Sequence, residues 1–168
     1  MPDAIYFEIG QSIQARSGVW YKCIQHLGTG GNAVTYLVTA TSGDFRGVLF
    51  ALKVFRKLSQ EQRRNRFLGE VTFLESCSHP SIMRVFDAGE FQVPPQRFPF
   101  VVAEYLPVQL YDVIRANSVS MPEKISYAIQ LLSALAYLSH LNPAVVHRDI
   151  KPQNIFVRAR RVCWAILV

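Results

Sequence analysis

Before its first helical signal the chain makes three strand-length runs separated by turn residues, and that order limits the folds open to it. Tyr21–Leu27 reads as a strand, Gly28-Thr29-Gly30-Gly31-Asn32 as a glycine-rich turn, and Val34–Thr41 as a second strand. Ser42-Gly43-Asp44 has turn chemistry, glycine tolerating positive φ and aspartate offering a side-chain acceptor. Val48–Phe55 is a third, mostly apolar strand. The texture then changes. Ser59-Gln60-Glu61-Gln62 has the form of a capping box, predicting a helix to about Ser76 with Phe67, Leu68, Val71 and Leu74 on one face. After His79-Pro80, Met83–Gln92 and Phe98–Tyr105 read as two strands joined by a proline-rich loop, Pro94-Pro95-Gln96. Ser120-Met121-Pro122-Glu123 is a second capping box and predicts a helix to about Ser139. On that helix Ser126, Gln130 and Ser133 form a narrow polar stripe, while Ile125, Ile129, Leu131, Leu132, Leu135 and Leu138 fill the rest, so burial on most sides is expected. Residues 1–20 lack a clear period and read as a leader with one short strand.

Composition removes several classes of function. Half of the 168 residues are hydrophobic and 12% aromatic, which excludes an intrinsically disordered chain. No apolar run approaches the ~18 residues of a membrane span, and the N-terminus shows no basic stretch followed by an apolar core. Cys23, Cys77 and Cys163 are odd in number and widely spaced, which argues against a disulfide framework or a zinc site and makes a reducing, cytoplasmic setting the default expectation. The net charge of +6 raises the question of a polyanion partner. The basic residues gather in two short stretches, Arg63-Arg64-Asn65-Arg66 and Arg158-Ala159-Arg160-Arg161, which read first as a solvated helix face and a turn and only second as a nucleic-acid site.

Three features could carry chemistry. Glycines between two strands let backbone N–H groups approach phosphate oxygens without Cβ interference, although taken alone they read more readily as a plain β-turn. The strand after the turn argues against a dinucleotide fingerprint or P-loop, both of which need a helix there. Lys53, flanked by apolar residues in Phe50-Ala51-Leu52-Lys53-Val54-Phe55, must snorkel from an edge strand or meet a carboxylate. Glu70 is either that partner or an ordinary solvated glutamate. The third feature is the most specific: His147-Arg148-Asp149-Ile150-Lys151-Pro152-Gln153-Asn154 holds a proton acceptor, a phosphate partner and a neutral metal ligand within one short loop.

This last passage resembles the catalytic loop of eukaryotic-type protein kinases, H-R-D-x-K-x-x-N, with every position matched. The other pieces then follow the order of that family. Gly28-x-Gly30 resembles the start of its glycine-rich loop, Ala51-Leu52-Lys53 its third-strand lysine motif, and Glu70, ahead of His79-Pro80-Ser81-Ile82, its helix-C glutamate. Glu104-Tyr105-Leu106 looks like the hinge, with Ala103 at the gatekeeper position, and Lys151 looks like the serine/threonine-specific form. The resemblance covers roughly Tyr21 to Val157. It implies an α+β fold: a leader over 1–20, an N-lobe of five antiparallel strands and one helix with the hinge over 21–106, and a partial helical C-lobe over 107–168.

The implied activity is phosphoryl transfer from ATP to protein serine or threonine, with a protein substrate. Asp149 would accept the hydroxyl proton and Lys151 steady the γ-phosphate; Asn154 would bind Mg²⁺. Lys53, held by Glu70, would bind the α- and β-phosphates under Gly28 and Gly30, and adenine would lie against Ala51 with backbone hydrogen bonds from Glu104 and Leu106. Three departures stand out. Ala33 replaces the third glycine and Thr35 a valine. The family's D-F-G motif, expected about a dozen residues after the loop asparagine, does not appear before the last residue, Val168, and no acidic residue follows Asp149. The expectation is therefore a kinase domain truncated before D-F-G and catalytically inactive as written, its second helix needing a chaperone or partner to cover it. The rival reading is a non-catalytic nucleotide-binding or protein-interaction fragment of pseudokinase type.

Overall fold

The structure, a computed structural model, describes residues 7–142 and 150–164. The chain divides into two compact units: one takes the chain up to Glu75 with Val85–Tyr105, the other Ser76–Arg84 with the chain from Leu106 onward. The architecture is α+β.

The first unit is a six-stranded antiparallel sheet with one helix. Its strands are β1 (Ser12–Gln14), β2 (Trp20–Thr29), β3 (Ala33–Ala40), β4 (Leu49–Phe55), β5 (Val85–Val93) and β6 (Gln96–Glu104), in the spatial order β1-β2-β3-β4-β6-β5. The five strands expected from periodicity lie within three residues of their predicted ends. The loop Pro94-Pro95 is a two-residue turn with a cis peptide, since Val93 already pairs with Gln96.

The sixth strand comes from the leader. Phe7, Ile13 and Ala15 are buried with Tyr21, Tyr36, Phe50, Phe91 and Phe100 in the sheet's core. The turn after β1 reaches the opposite edge strand: the Arg16 amide donates to Ala88 O at 2.7 Å, and the Ser17 amide and hydroxyl both donate to the Asp87 carboxylate. Asp87 is only 8% exposed, yet it also accepts from the Ala88 amide at 2.9 Å and from the Tyr21 hydroxyl at 3.4 Å, so its lone pairs are used. Burial and the adjoining Asp87 charge hold the Tyr21 phenol well above its usual range. The leader thus joins the two edges of the sheet and leaves fewer open strand edges. Gly89 records how close the approach is. A Cβ there would lie 2.6 Å from Phe100 Cζ and 3.3 Å from Ala15 Cα.

Helix α1 (Glu61–Ser76) buries Phe67, Val71 and Leu74, with the Phe67 ring 5.4 Å from Phe55. It starts one residue later than the predicted capping box requires. Gln60, not Ser59, supplies the first acceptor, its carbonyl taking the Arg63 and Arg64 amides at 3.0 Å.

In the second unit, α2 (Leu110–Arg115) and α3 (Met121–Ser139) precede a 3-10 turn at Pro152–Asn154 and the hairpin β7 (Ile155–Arg158) and β8 (Arg161–Trp164). The second capping box is present as predicted: Ser120 and Glu123 satisfy each other's backbone amides at the start of α3. The basic stretch Arg158–Arg161 is the hairpin turn, with Ala159 and Arg160 at positive φ.

The expectation that α3 is buried on most sides is corrected. Met121, Ile125, Ile129 and Leu132 are 55–67% exposed, while Tyr127, Ala134 and Leu138 are buried. Of the polar stripe, Gln130 is half-buried while Ser126 and Ser133 stay exposed, and two of the three bond neighbouring segments. Gln130 Oε1 accepts from the Val162 amide at 3.0 Å, its Nε2 donates to Arg160 O at 3.4 Å, and Ser133 Oγ lies 3.2 Å from His79 Nε2. Because Ser81 N–H donates to His79 Nδ1, the Nε2 atom carries the proton and Ser133 is the acceptor. The hairpin and the 76–84 stretch need hydrogen-bond partners for their own backbone and side chains, so they select the polar side of the helix. Among the described residues no helix is long and apolar enough to cross a membrane.

Two contrasts in stability follow. Gly89→Ala is expected to destabilise the chain by about 1–3 kcal/mol through overpacking. Gly69→Ala, in the α1 interior where a Cβ meets nothing within 4 Å, should stabilise by roughly 0.5–1 kcal/mol. Denaturant unfolding of both variants tests the pair, and equal effects would contradict the close approach. On α3, Leu138→Ala should cost about 2–5 kcal/mol. Ile129→Lys with Leu132→Glu should leave the unfolding midpoint unchanged and reduce self-association in sedimentation.

Candidate functional site

The antiparallel ladders bring Gly28, Ala51, Lys53 and Ala103 of the first unit onto one face, while Glu104, opposite Phe50, has the other parity and Gly30 lies in the turn outside the ladder. Cross-strand partners share a face, and so do residues two apart along a strand. Gly28 pairs with Thr35, and Thr35 with Lys53, giving a row across β2, β3 and β4. Ala51, two residues before Lys53, pairs with Ala103 of β6, and Glu104 closes that strand opposite Phe50. Gly28, Thr35, Lys53, Ala51 and Ala103 therefore line one side of the sheet. Ala33, where a third glycine was expected, begins β3 opposite Phe55 and is buried, so its methyl group contributes to the core.

The turn beyond β2 is closed by the Gly30 amide donating to Ala33 O at 2.8 Å. Its glycines are not demanded by the fold. None of Gly28, Gly30 and Gly31 has a positive φ, and a Cβ at Gly28 or Gly31 would meet nothing within 4 Å. Backbone conformation and internal packing would both accept alanine here. What glycine gives is open space beside exposed backbone, the condition a phosphate needs for close approach.

Lys53 is half-buried on β4. Burial pushes its ammonium down from 10.5 to about 8, and the negative charge of Glu70 on α1 opposes that shift. The two residues named as a candidate pair are thus electrostatic partners. Glu70 can reach the sheet because it lies three residues after Phe67 and four before Leu74, on the edge of the face that α1 buries.

In the second unit, Lys151 is exposed and directly precedes the 3-10 turn, whose closing bond runs from the Asn154 amide to Lys151 O at 2.9 Å. Asn154 is half-buried at the entrance to β7. Leu106 is buried, and the segment after it lies beside β7 through Val157 N–H donating to Val108 O at 2.8 Å. Asp149, with His147 and Arg148, lies outside the described residues. Among the described residues no three His, Cys, Asp or Glu side chains gather as a metal site.

Three residues at the glycine turn were not singled out by the sequence. Arg56, just past β4, donates its amide to Asn32 O at 2.9 Å and its Nη2 to Gly30 O at 3.0 Å. Arg63 Nη1 donates to Asn32 Oδ1 at 2.8 Å. The only sequence signal was the basic stretch Arg63–Arg66, for which a solvated face was a sufficient explanation.

Comparison with known proteins adds independent findings. Residues 21–164 match the family described as Protein kinase domain. The chain is 32% identical over 151 residues to the serine/threonine-protein kinase PrkC of Bacillus subtilis, covering 89% of this chain and 22% of that protein. It is 33% identical over 95 residues to the serine/threonine-protein kinase PknB of Mycobacterium tuberculosis, covering 56% and 15%. It is 36% identical over 135 residues to mitogen-activated protein kinase 12 of Oryza sativa, covering 74% and 22%. The chain thus spans about a fifth of the length of these relatives.

The Lys53 environment gives a pH signature. Between about 8 and 10.5 the unfolded chain keeps the Lys53 proton that the folded chain has lost, so unfolding takes up a proton and stability rises with pH. Urea unfolding of wild type against Lys53→Met should show wild type gaining stability relative to the variant across that window. Glu70→Gln should start the gain at lower pH, because it removes the charge that holds the ammonium up. A constant difference between wild type and Lys53→Met would show that Lys53 titrates normally.

Proposed function

The chain belongs to the protein kinase family, of the serine/threonine kind, and from that premise we propose that it binds ATP as part of a domain whose reaction is phosphoryl transfer to serine or threonine hydroxyls of a protein substrate. The family as a whole uses ATP and Mg²⁺ and acts on proteins. The observation that carries the reading to this chain is Lys53, a desolvated ammonium tied to Glu70 and aligned with Thr35 and Gly28.

The residues fit a nucleoside triphosphate on three counts. An anion beside Lys53 would compensate the charge that burial penalises. The Gly28–Gly31 backbone has open space where phosphate oxygens need it. Ala51 and Ala103 offer small apolar surface on the same face, as an adenine ring requires. In this reading Lys53, oriented by Glu70, holds the α- and β-phosphates, and Gly28 and Gly30 cover them. Glu104 and Leu106 hydrogen-bond the base through their backbones. Asp149 takes the proton of the substrate hydroxyl, Lys151 faces the γ-phosphate with its positive charge, and Asn154 offers its amide oxygen to Mg²⁺. Bound ATP supplies the phosphoryl group, and Mg²⁺ neutralises charge on its oxygens. The contribution of the protein is position and electrostatics.

Calorimetric titration of ATP tests the proposal without relying on turnover. Lys53→Met should weaken binding at least about tenfold, the scale of a lost charge-assisted contact. At pH 8.5 wild type should take up protons as ATP binds, because the phosphates return Lys53 to its charged form, and buffers of different ionisation enthalpy would reveal it. Binding by Lys53→Met at wild-type strength, or no proton uptake by wild type, would sink the assignment.

A further inference from the structure

The glycine turn is held from two directions, and only one hold depends wholly on side chains. Arg56 grips it from the end of β4, three residues after Lys53, with one of its two bonds formed by the backbone amide. Arg63 grips it from the start of α1, through a guanidinium bond to the Asn32 side chain at 2.8 Å. A guanidinium donor makes this bond charge-assisted and shorter than an ordinary amide contact.

Helix geometry gives the second hold its significance. Arg63, Phe67, Glu70 and Leu74 follow one another at intervals of four, three and four, so they lie along one stripe of α1. Phe67 and Leu74 fasten that stripe to the sheet. Arg63 and Glu70 are two turns apart, roughly 10 Å along the axis. One rigid element therefore carries the group that acts on Lys53 and the group that holds the turn, and Lys53 and Gly28 sit two strands apart in the same row.

We propose that Asn32 and Arg63 are positioning residues that latch the glycine-rich turn to α1, so that the helix sets the turn and Lys53 together. The proposal rests on the reading of the turn as a phosphate cradle. Neither side chain is buried, which separates the latch from the core packing. Its loss leaves the adenine-facing residues Ala51 and Ala103 untouched and frees the turn to sample positions that no longer meet phosphate.

The test uses the 168-residue chain with Asn32→Ala, Arg63→Ala, Arg63→Lys and the double alanine variant. Amide hydrogen exchange of residues 29–33 in nucleotide-free protein reads the latch directly. Both single alanine variants should exchange faster than wild type, the double variant no faster than either, and Arg63→Lys should recover much of the protection. ATP affinity should fall about threefold to tenfold in each single variant, the range of one hydrogen bond, with adenosine affinity unchanged. Unchanged exchange in the single variants, additive losses in the double, or an equal loss for adenosine would each overturn the latch. Failure of wild type to bind ATP, with faster exchange in the variants, would sink the phosphate reading and leave the latch standing.

Discussion

A charged amine in the middle of a sheet needs an opposing charge, and Lys53 imposes that requirement on everything around it. It sits on β4, with β3 and β6 paired on either side, where an ammonium loses most of its hydration. Glu70 can act on it only if α1 crosses this face of the sheet. That placement is stabilised by Phe67, Val71 and Leu74, whose burial against Phe55 and its surroundings is worth ~1.5–3 kcal/mol per side chain. Ordinary hydrophobic packing thus fixes the position of an electrostatic pair that would be too weak to position a helix alone. The site exists because the apolar and charged positions of α1 are interleaved on one stripe.

The second unit solves a different problem, how a short polar loop region can be kept in register. The β7–β8 hairpin is only four residues per strand, and two short strands are marginal by themselves. Its support comes from Gln130, which bonds the strand start and the turn together, and from Trp164, buried completely and backbone-bonded to Ser81 and Met83. Arg160 adds an ion pair to Glu123 at 3.5 Å. The Glu123 carboxyl is held below its usual range chiefly by the Ser120 hydroxyl and amide of the capping box, with Arg160 a lesser contribution. Asn154 and Lys151 enter the hairpin from its 3-10 turn, so the helix that supports the strands also limits where those two residues can be.

The parts legible in the sequence were those governed by local rules. Strand alternation, the Ser120–Glu123 cap and the H-R-D-x-K-x-x-N stretch each depend on neighbours within a few residues, and the elements and the family followed from them. The parts that were missed depend on partners distant in the chain. Nothing near Ser17 announces that Asp87 will accept its hydroxyl, 70 residues later, so the leader did not read as a closing strand. Ser59-Gln60-Glu61-Gln62 satisfies the capping pattern, but the chain leaving β4 is tied back to Asn32 through Arg56, and the helix begins one register later with Gln60 at its head. Gln130 belongs to a narrow polar stripe whose partner the helix pattern alone does not name. The neighbouring backbone is that hydrogen-bond partner.

Glycine use makes the same division between local and distant causes visible within one residue type. Gly89 is small because Ala15 and Phe100 occupy the space a side chain would take, a constraint internal to the fold. Gly28 and Gly31 have open space and ordinary backbone angles, so no internal constraint accounts for them. A turn that the fold alone would build as readily with alanine, yet held by Arg56 and Arg63, is firm in position and bare of side chains. Those two properties together are what close contact with a phosphate demands, since a mobile turn would lose entropy on binding and a substituted one would hold the oxygens off.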